Sequence, residues 1–379
     1  MGGFGLPPAR GRGGRNGKRD ATHDGTNSIP PPPSFNPPTP TNSAIELDVD
    51  AIRDREGNVV ICGVLEHIEQ AGVHSGDSAC SLPTQTIPEA TLAIVRDWTR
   101  KVAEALRVEG LINIQYAVQD DVPYIIEANP RASRTVPFVA KAVGHPIAKY
   151  ASLVMAGQTL KEIGFTEEPR PKHVAVKEVV LPFSKFPGAD TLLGPEMRST
   201  GEVMGIDADF ASAYAKAQLA AGQKLPASGK VFMSMADKHK AEAVEVAREL
   251  VGLGYTVAAT RGTAAALRAG GVQGVEEVFK ISEGRPNPAD LLKNGDCTMM
   301  LITSGGDEPD LRDGRDLRRL ALGLGVPLVT TLAGARATAA ALTAMRAGPL
   351  KQVPLQTYFP DYRDASMHLM TGVAADERK

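Results

Sequence analysis

Residues 111–130 read LINIQYAVQDDVPYIIEANP, and the fold is decided by how they are read. Two runs of strand-forming residues flank the polar break QDD, which predicts a hairpin. Alternation along the second run puts Glu127 and Asn129 on one face, and Pro130 stops the ladder so that both stand at a sheet end. Gln115, on the first run, is placed to share that face. A carboxylate beside amide oxygens suits Mg²⁺, which takes one or two carboxylates and completes its shell with phosphate oxygens, so the set suggests a nucleoside triphosphate. Arg131 and Arg134, just past the proline, offer planar forks to a phosphoryl group in flight or to a carboxylate-like acceptor. The same spacing describes a solvated strand end with surface arginines, and spacing does not choose between the two.

Outward from this hairpin, residues 44–68 (AIELDVDAIRDREGNVVICGVLEHI) alternate on either side of DREGN and predict another hairpin. Residues 87–108 carry apolar positions at helical spacing, TVPFVAKAVG and PIAKYASLVMAG read as short helices, VAVKEVVLPF as a strand, and DFASAYAKAQLAAG as a helix closed by glycine. This is an α+β unit with an antiparallel sheet, expected over 44–227. Near Pro226–Gly229 the rhythm changes: VFMSM, YTVAAT, EEVFKI, TMMLIT and PLVTT alternate with helical stretches, which predicts an α/β domain over 228–379, its doubly wound parallel sheet holding ligands at the carboxyl ends of the strands. Residues 1–43, rich in glycine and arginine and then in proline, offer too little apolar surface to offset ordering entropy and are expected to be a disordered leader.

Composition narrows the function classes. A length of 379 residues with 42% hydrophobic allows two or three packed units. A net charge of −2 gives no global basic field, so no specific nucleic-acid partner is expected. Cys62, Cys80 and Cys297 are odd in number and widely spaced, which fits reduced structural thiols in the cytoplasm. No apolar run reaches the roughly 18 residues of a membrane span.

Two weaker clusters remain. In EHIEQAGVHSGDSAC the turn at Gly72, Val73, His74 and Ser75 can present backbone groups and a ring to a base or ribose, or be a plain loop. In VAATRGTAAAL, Thr260, Gly262 and Thr263 sit at a strand-to-helix turn that receives phosphate well, though an ordinary N-cap threonine looks the same. Lys280 and Thr303–Ser304 fall at neighbouring strand ends, where a parallel sheet brings them to one rim.

HIEQAGVHSGDSACSLPTQTI (67–87), GLINIQYAVQDDVPYIIEANPRASRTVPFVAKAVG (110–144) and VKEVVLPFSKFPGADTLLGPEMRSTGEVMG (176–205) together resemble the large subunit of carbamoyl phosphate synthetase, over its carboxyl-terminal part. The resemblance implies part of an ATP-grasp unit that phosphorylates carbamate with ATP, followed by a methylglyoxal-synthase-like (MGS-like) allosteric domain. It places Gln115, Glu127 and Asn129 on metal and phosphate ligands for Mg²⁺ or Mn²⁺, and Glu46, Gly72, Val73, His74 and Ser75 on nucleotide contacts, with Gln115 and Glu127 shared between the two sets. Arg131 and Arg134 fall near the transferred phosphoryl. Thr260, Thr263, Lys280 and Ser304 fall on the effector site for UMP or IMP, where this chain has Ile302 in place of a frequent asparagine and Ser304 in place of threonine. Glu69, Asp77, Glu178 and Thr330 fall on an activator site present in some members. A glutamine amidotransferase small subunit is the implied partner, and pyrimidine and arginine synthesis the implied destinations.

The leader stands where the resemblance puts the opposing ATP-grasp lobe, so this chain alone is expected not to make carbamoyl phosphate. The alternative is a non-catalytic nucleotide-sensing module. A methylglyoxal-forming lyase ranks last, because the aspartate-bearing GGDQ-like stretch of that family corresponds here to EGRPNPADLLKNG.

Overall fold

The computed structural model describes residues 44–186, 189–304 and 308–359, all within one compact unit. The leader assigned from composition lies outside the described residues.

The first part is built on a seven-stranded antiparallel sheet. Its strands are β1 (Ile45–Arg53), β2 (Val59–His67), β3 (Cys80–Leu82), β4 (Gly110–Gln119), β5 (Val122–Asn129), β6 (Val174–Val180) and β7 (Gly201–Asp207), in spatial order β5-β4-β1-β2-β3-β6-β7. Both predicted hairpins are present, β1 against β2 and β4 against β5. Between the strands run α1 (Glu89–Ala105), α2 (Val136–Val143), α3 (Ile147–Met155), α4 (Leu160–Ile163) and α5 (Phe210–Ala220).

The sequence IELDVDA in β1 alternates strictly and so gives the sheet two different faces. Leu47, Val49 and Ala51 pack with Ile112, Ile114 and Tyr116 against Leu92 and Val95 of α1. Glu46, Asp48 and Asp50 point the other way, and all three are buried. Further along that face Ile52, Leu65 and Leu82 pack against Phe138, Val139 and Ile147 of α2 and α3. The acidic row therefore lies beside an apolar floor, and burying three carboxylates requires partners.

The second part is a five-stranded parallel sheet of β8 (Lys230–Ser234), β9 (Thr256–Thr260), β10 (Glu276–Val278), β11 (Met299–Ile302) and β12 (Leu328–Val329), ordered β10-β9-β8-β11-β12. Helices α6 (Lys240–Gly252), α7 (Arg261–Ala269), α8 (Pro288–Lys293), α9 (Glu308–Leu324) and α10 (Leu332–Ala347) follow the strands, and α11 (Leu355–Tyr358) ends the described chain. This is the alternating pattern expected from the sequence. The two sheets are joined by α5 and α10, where Ala213 and Ala217 pack with Ala337 and Ala341. Small side chains let these helices approach closely.

Strands β3 and β7 were not foreseen. In β7 Gly205, a nominal strand breaker, sits under α5: a Cβ there would lie 2.0 Å from the Ala213 carbonyl oxygen. Close approach of a helix selects glycine inside that strand.

Candidate functional site

A cavity of about 600 Å³ opens at the end of the antiparallel sheet on its acidic face, within the usual range for small-molecule sites. Glu46, Gly72, Val73, His74, Ser75, Gln115, Glu127, Arg131 and Arg134, separated by up to 88 positions in the chain, all line it. Gln115 and Glu127 are direct cross-strand partners, as are Asn113 and Asn129, so their side chains share the face assigned from alternation. Asn129 Nδ2 donates to Glu127 Oε1 at 2.8 Å, and Gln115 Nε2 donates to Asp48 Oδ1 at 3.2 Å, which turns the Gln115 carbonyl away from Asp48.

This donor set fits a magnesium ion that arrives with a nucleotide. Among the described residues no group of three or more His, Cys, Asp or Glu side chains could cage a metal. One exposed carboxylate with amide oxygens is what Mg²⁺ uses when phosphates supply the remaining ligands.

Opposite the hairpin stands the glycine turn. Gly72 has φ +95° with open space around its Cβ position, so glycine is required there for backbone conformation rather than for room. Its N–H donates to Glu46 Oε1 at 2.9 Å, tying the turn to β1. The His74 ring accepts from the Gly76 N–H at 2.9 Å and so serves its own turn.

Beneath the cavity is a buried polar network, of whose titratable members the sequence singled out only Glu46. His67 Nε2 meets Asp48 Oδ2 at 2.8 Å, and its Nδ1 faces Glu46 Oε2 at 3.5 Å. Burial pushes Asp48 up, but His67, Asn113 and Gln115 outweigh it and hold the carboxyl below its ordinary range. Burial likewise opposes charge on His67, yet Cys80 and Asp48 beside it raise the ring well above its usual value. Glu46 is raised by burial, against the pull of the Gly72 amide and His67. Asp50 accepts from Asn113 Nδ2 at 3.0 Å, Ser133 Oγ at 2.7 Å and Thr135 Oγ1 at 2.5 Å, and burial still lifts it to about 6. Ser133 and Thr135 flank Arg134, so Asp50 anchors the loop that presents both arginines. Lys177, almost wholly buried, also lines the cavity and donates to the Ser75 carbonyl at 3.1 Å. A strand lysine among apolar residues carries no local mark of such a role.

A second cavity, of about 550 Å³, lies at the carboxyl ends of β8, β9 and β11 and is lined by Thr260, Thr263, Lys280 and Ser304 together with Ser234, Lys240, Thr303 and Arg318. Thr260 Oγ1 lies 3.3 Å from both Ser234 Oγ and Thr263 Oγ1, and the Met235 N–H donates to Thr263 Oγ1 at 2.9 Å. A Cβ on Gly262 would stand 2.7 Å from Lys240 Nζ, so that glycine makes room for the lysine. Ile302 lines the same wall.

Of the remaining residues, Glu69 and Glu178 are raised to about 7 and about 8, chiefly by burial, with Glu69 also pushing Glu178 up. Asp77 spends both oxygens on the N–H groups of Arg198 (2.7 Å) and Ser199 (2.8 Å). Thr330 lies between β12 and α10. All three cysteines are buried and unpaired. No helix among the described residues is long and apolar enough to cross a membrane.

Residues 42–163 match the carbamoyl-phosphate synthase L chain, ATP binding domain family, and residues 242–330 match the MGS-like domain family. The molecule is thus an ATP-grasp-type antiparallel lobe followed by a parallel-sheet MGS-like domain. The arginine-specific, chloroplastic carbamoyl phosphate synthase large chain of Oryza sativa subsp. japonica is 57% identical over 333 residues, 88% of this chain and 28% of that relative. The carbamoyl phosphate synthase large chain of Synechocystis sp. is 58% identical over 316 residues, 83% of this chain and 29% of that relative. The chain belongs to the carbamoyl phosphate synthase large-chain family and matches its carboxyl-terminal portion, spanning less than a third of the length of these relatives. Among solved structures, the biotin carboxylase domain of a single-chain bacterial carboxylase is 16% identical with a TM-score of 0.36, covering 46% of this chain and 48% of that one.

Proposed function

We propose that the antiparallel lobe binds ATP with Mg²⁺ or Mn²⁺ and serves the phosphorylation of carbamate to carbamoyl phosphate, within an assembly that draws ammonia from a glutamine amidotransferase. The observation that carries this is the convergence of Gln115, Glu127, Arg131, Arg134 and the 72–75 turn on one cavity. The metal, when bound, would supply charge neutralisation to the triphosphate. Gln115, Glu127 and Asn129 would hold it, Glu46 holds the turn against the nucleotide, and Arg131 and Arg134 meet the charge on the phosphoryl group as it passes to the carbamate oxygen and ADP leaves.

Glu127 and Arg131 are exposed, so the described residues alone do not exclude water from the transfer. The isolated chain is therefore expected to bind without turnover. Titration of Mg·ATP into the purified chain should show binding that EDTA abolishes and that Glu127→Ala weakens about 100-fold, since a metal carboxylate carries much of the electrostatics of such a site. Wild-type affinity in Glu127→Ala refutes the assignment. Carbamoyl phosphate formed by the chain from ATP, ammonia and bicarbonate refutes the binding-only expectation.

In the same reading the parallel-sheet domain, divided from the lobe near residue 228, takes the phosphate of a nucleoside monophosphate such as UMP or IMP at Thr260, Thr263, Lys280 and Ser304. The cavity with Lys240 and Arg318 on its wall supports this. Glu69, Asp77, Glu178 and Thr330 belong, in this reading, to a separate activator site. Three unpaired buried thiols support a cytoplasmic setting.

A further inference from the structure

Residues 189–199 form neither helix nor strand, and hydrogen bonds at both ends hold them. At one end Asp190 accepts two bonds from Arg318 of α9, from Nε at 2.7 Å and from Nη2 at 2.9 Å. The Arg318 side chain is only 3% exposed, and it lines the parallel-sheet cavity. At the other end the Gly194 carbonyl accepts the His74 N–H at 2.8 Å, and Pro195 lines the cavity of the antiparallel lobe. Met197 Sδ abuts the Arg134 guanidinium, the Arg198 and Ser199 N–H groups bind Asp77, and Ser199 Oγ donates to the Gly76 carbonyl at 2.7 Å. One short segment thus touches the arginine loop, the glycine turn and a buried cation on the wall of the second cavity.

A buried guanidinium must keep an anionic partner, and a phosphate presents the same two-oxygen edge to it as a carboxylate does. We propose that residues 189–199 are a strap coupling the two cavities, latched by Asp190 and Arg318, and that a phosphate bound in the parallel-sheet cavity works the latch by taking over Arg318. Asp190, already 29% exposed, then turns to solvent, and the strap loses its fixed end. The slack reaches Gly194 and the turn it holds. The phosphate trigger rests on the effector reading above; the strap itself rests only on the contacts just given.

The test is amide hydrogen exchange on the full chain, read at His74, Arg198 and Ser199. Asp190→Asn keeps the side-chain volume and removes the anion, and exchange at these three amides should speed up about tenfold while the strand amides of Val231–Met233 stay protected. Arg318→Lys, which keeps the charge but not the fork, should give a smaller rise. Saturating UMP on the wild type should reproduce the Asp190→Asn pattern and do nothing further to that variant. Wild-type exchange at the three amides in Asp190→Asn, with β8 protected, overturns the strap. Protection of Met235 and Ala236 by UMP without any change at the strap overturns the trigger. UMP that protects neither overturns the effector reading and the trigger with it, while the Asp190→Asn result still decides the strap.

Discussion

Asp50 offers the sharpest test of the buried acidic row. Its folded value of about 6 stands above the ordinary 3.8, so the native state keeps a proton that the unfolded chain releases. The stability this group contributes is fully present below about pH 4 and is lost as pH rises through about 6. Asp50→Asn is neutral throughout and retains an acceptor for Asn113, so the variant should gain on the wild type as pH rises. Taking 1.36 kcal/mol per unit and the two values above, about 1 kcal/mol of the wild-type contribution is gone at pH 4.5 and about 3 kcal/mol at pH 7.5. The variant-minus-wild-type difference should therefore shift by about 2 kcal/mol between those pH values. Any loss from a rearranged hydrogen bond to Thr135 or Ser133 is common to both pH values and cancels, as do other titrating groups present in both proteins. The assay is urea unfolding followed by tryptophan emission. Trp98 is the single tryptophan and packs in the α1 core of the same sheet, so it reports the correct lobe. A difference constant to within about 0.5 kcal/mol would show that Asp50 is ionised with an ordinary affinity, and the description of the acidic face would fail with it.

Glu69 and Glu178, raised to about 7 and about 8, also hold protons in the folded state that the unfolded chain has lost, so they cost stability as pH climbs from about 4.5 towards 8. Glu178→Gln should leave the midpoint near pH 4 unchanged and raise it at pH 8.5, measured by thermal unfolding; a midpoint lowered equally at both would contradict the assignment. Gly205→Ala places a methyl group 2.0 Å from the Ala213 carbonyl oxygen and should cost about 3 kcal/mol or more by overpacking, seen as a collapsed melting temperature, whereas an unaltered melt would mean that α5 does not press on β7.

The two hairpins and the shared face of Glu127 and Asn129 were legible because each is written in local alternation, which the pleat converts directly into one side of a strand, and the parallel sheet was legible in the succession of short β runs and helical stretches. The acidic partners beneath the site were not, and the reason is geometric. Alternation in IELDVDA says that Glu46, Asp48 and Asp50 share one side, but an acid at every second position is what a solvated strand face also looks like. Which side is buried depends on α2 and α3, which lie about 90 positions further along the chain. What makes burial tolerable is also remote: Asp48 is balanced by His67 from the next strand and by Asn113 from another, and Asp50 by Ser133 and Thr135 of the arginine loop. The same separation hid Arg318, 128 positions from the aspartate that neutralises it. Residues that contact a ligand directly tend to sit at strand ends and turns, where sequence grammar is strong. Those that hold them in place sit inside, and there a charge acquires meaning only from a partner that folding brings to it. Asp50, invisible as a motif, is such a residue: through Ser133 and Thr135 it holds the loop that carries Arg131 and Arg134.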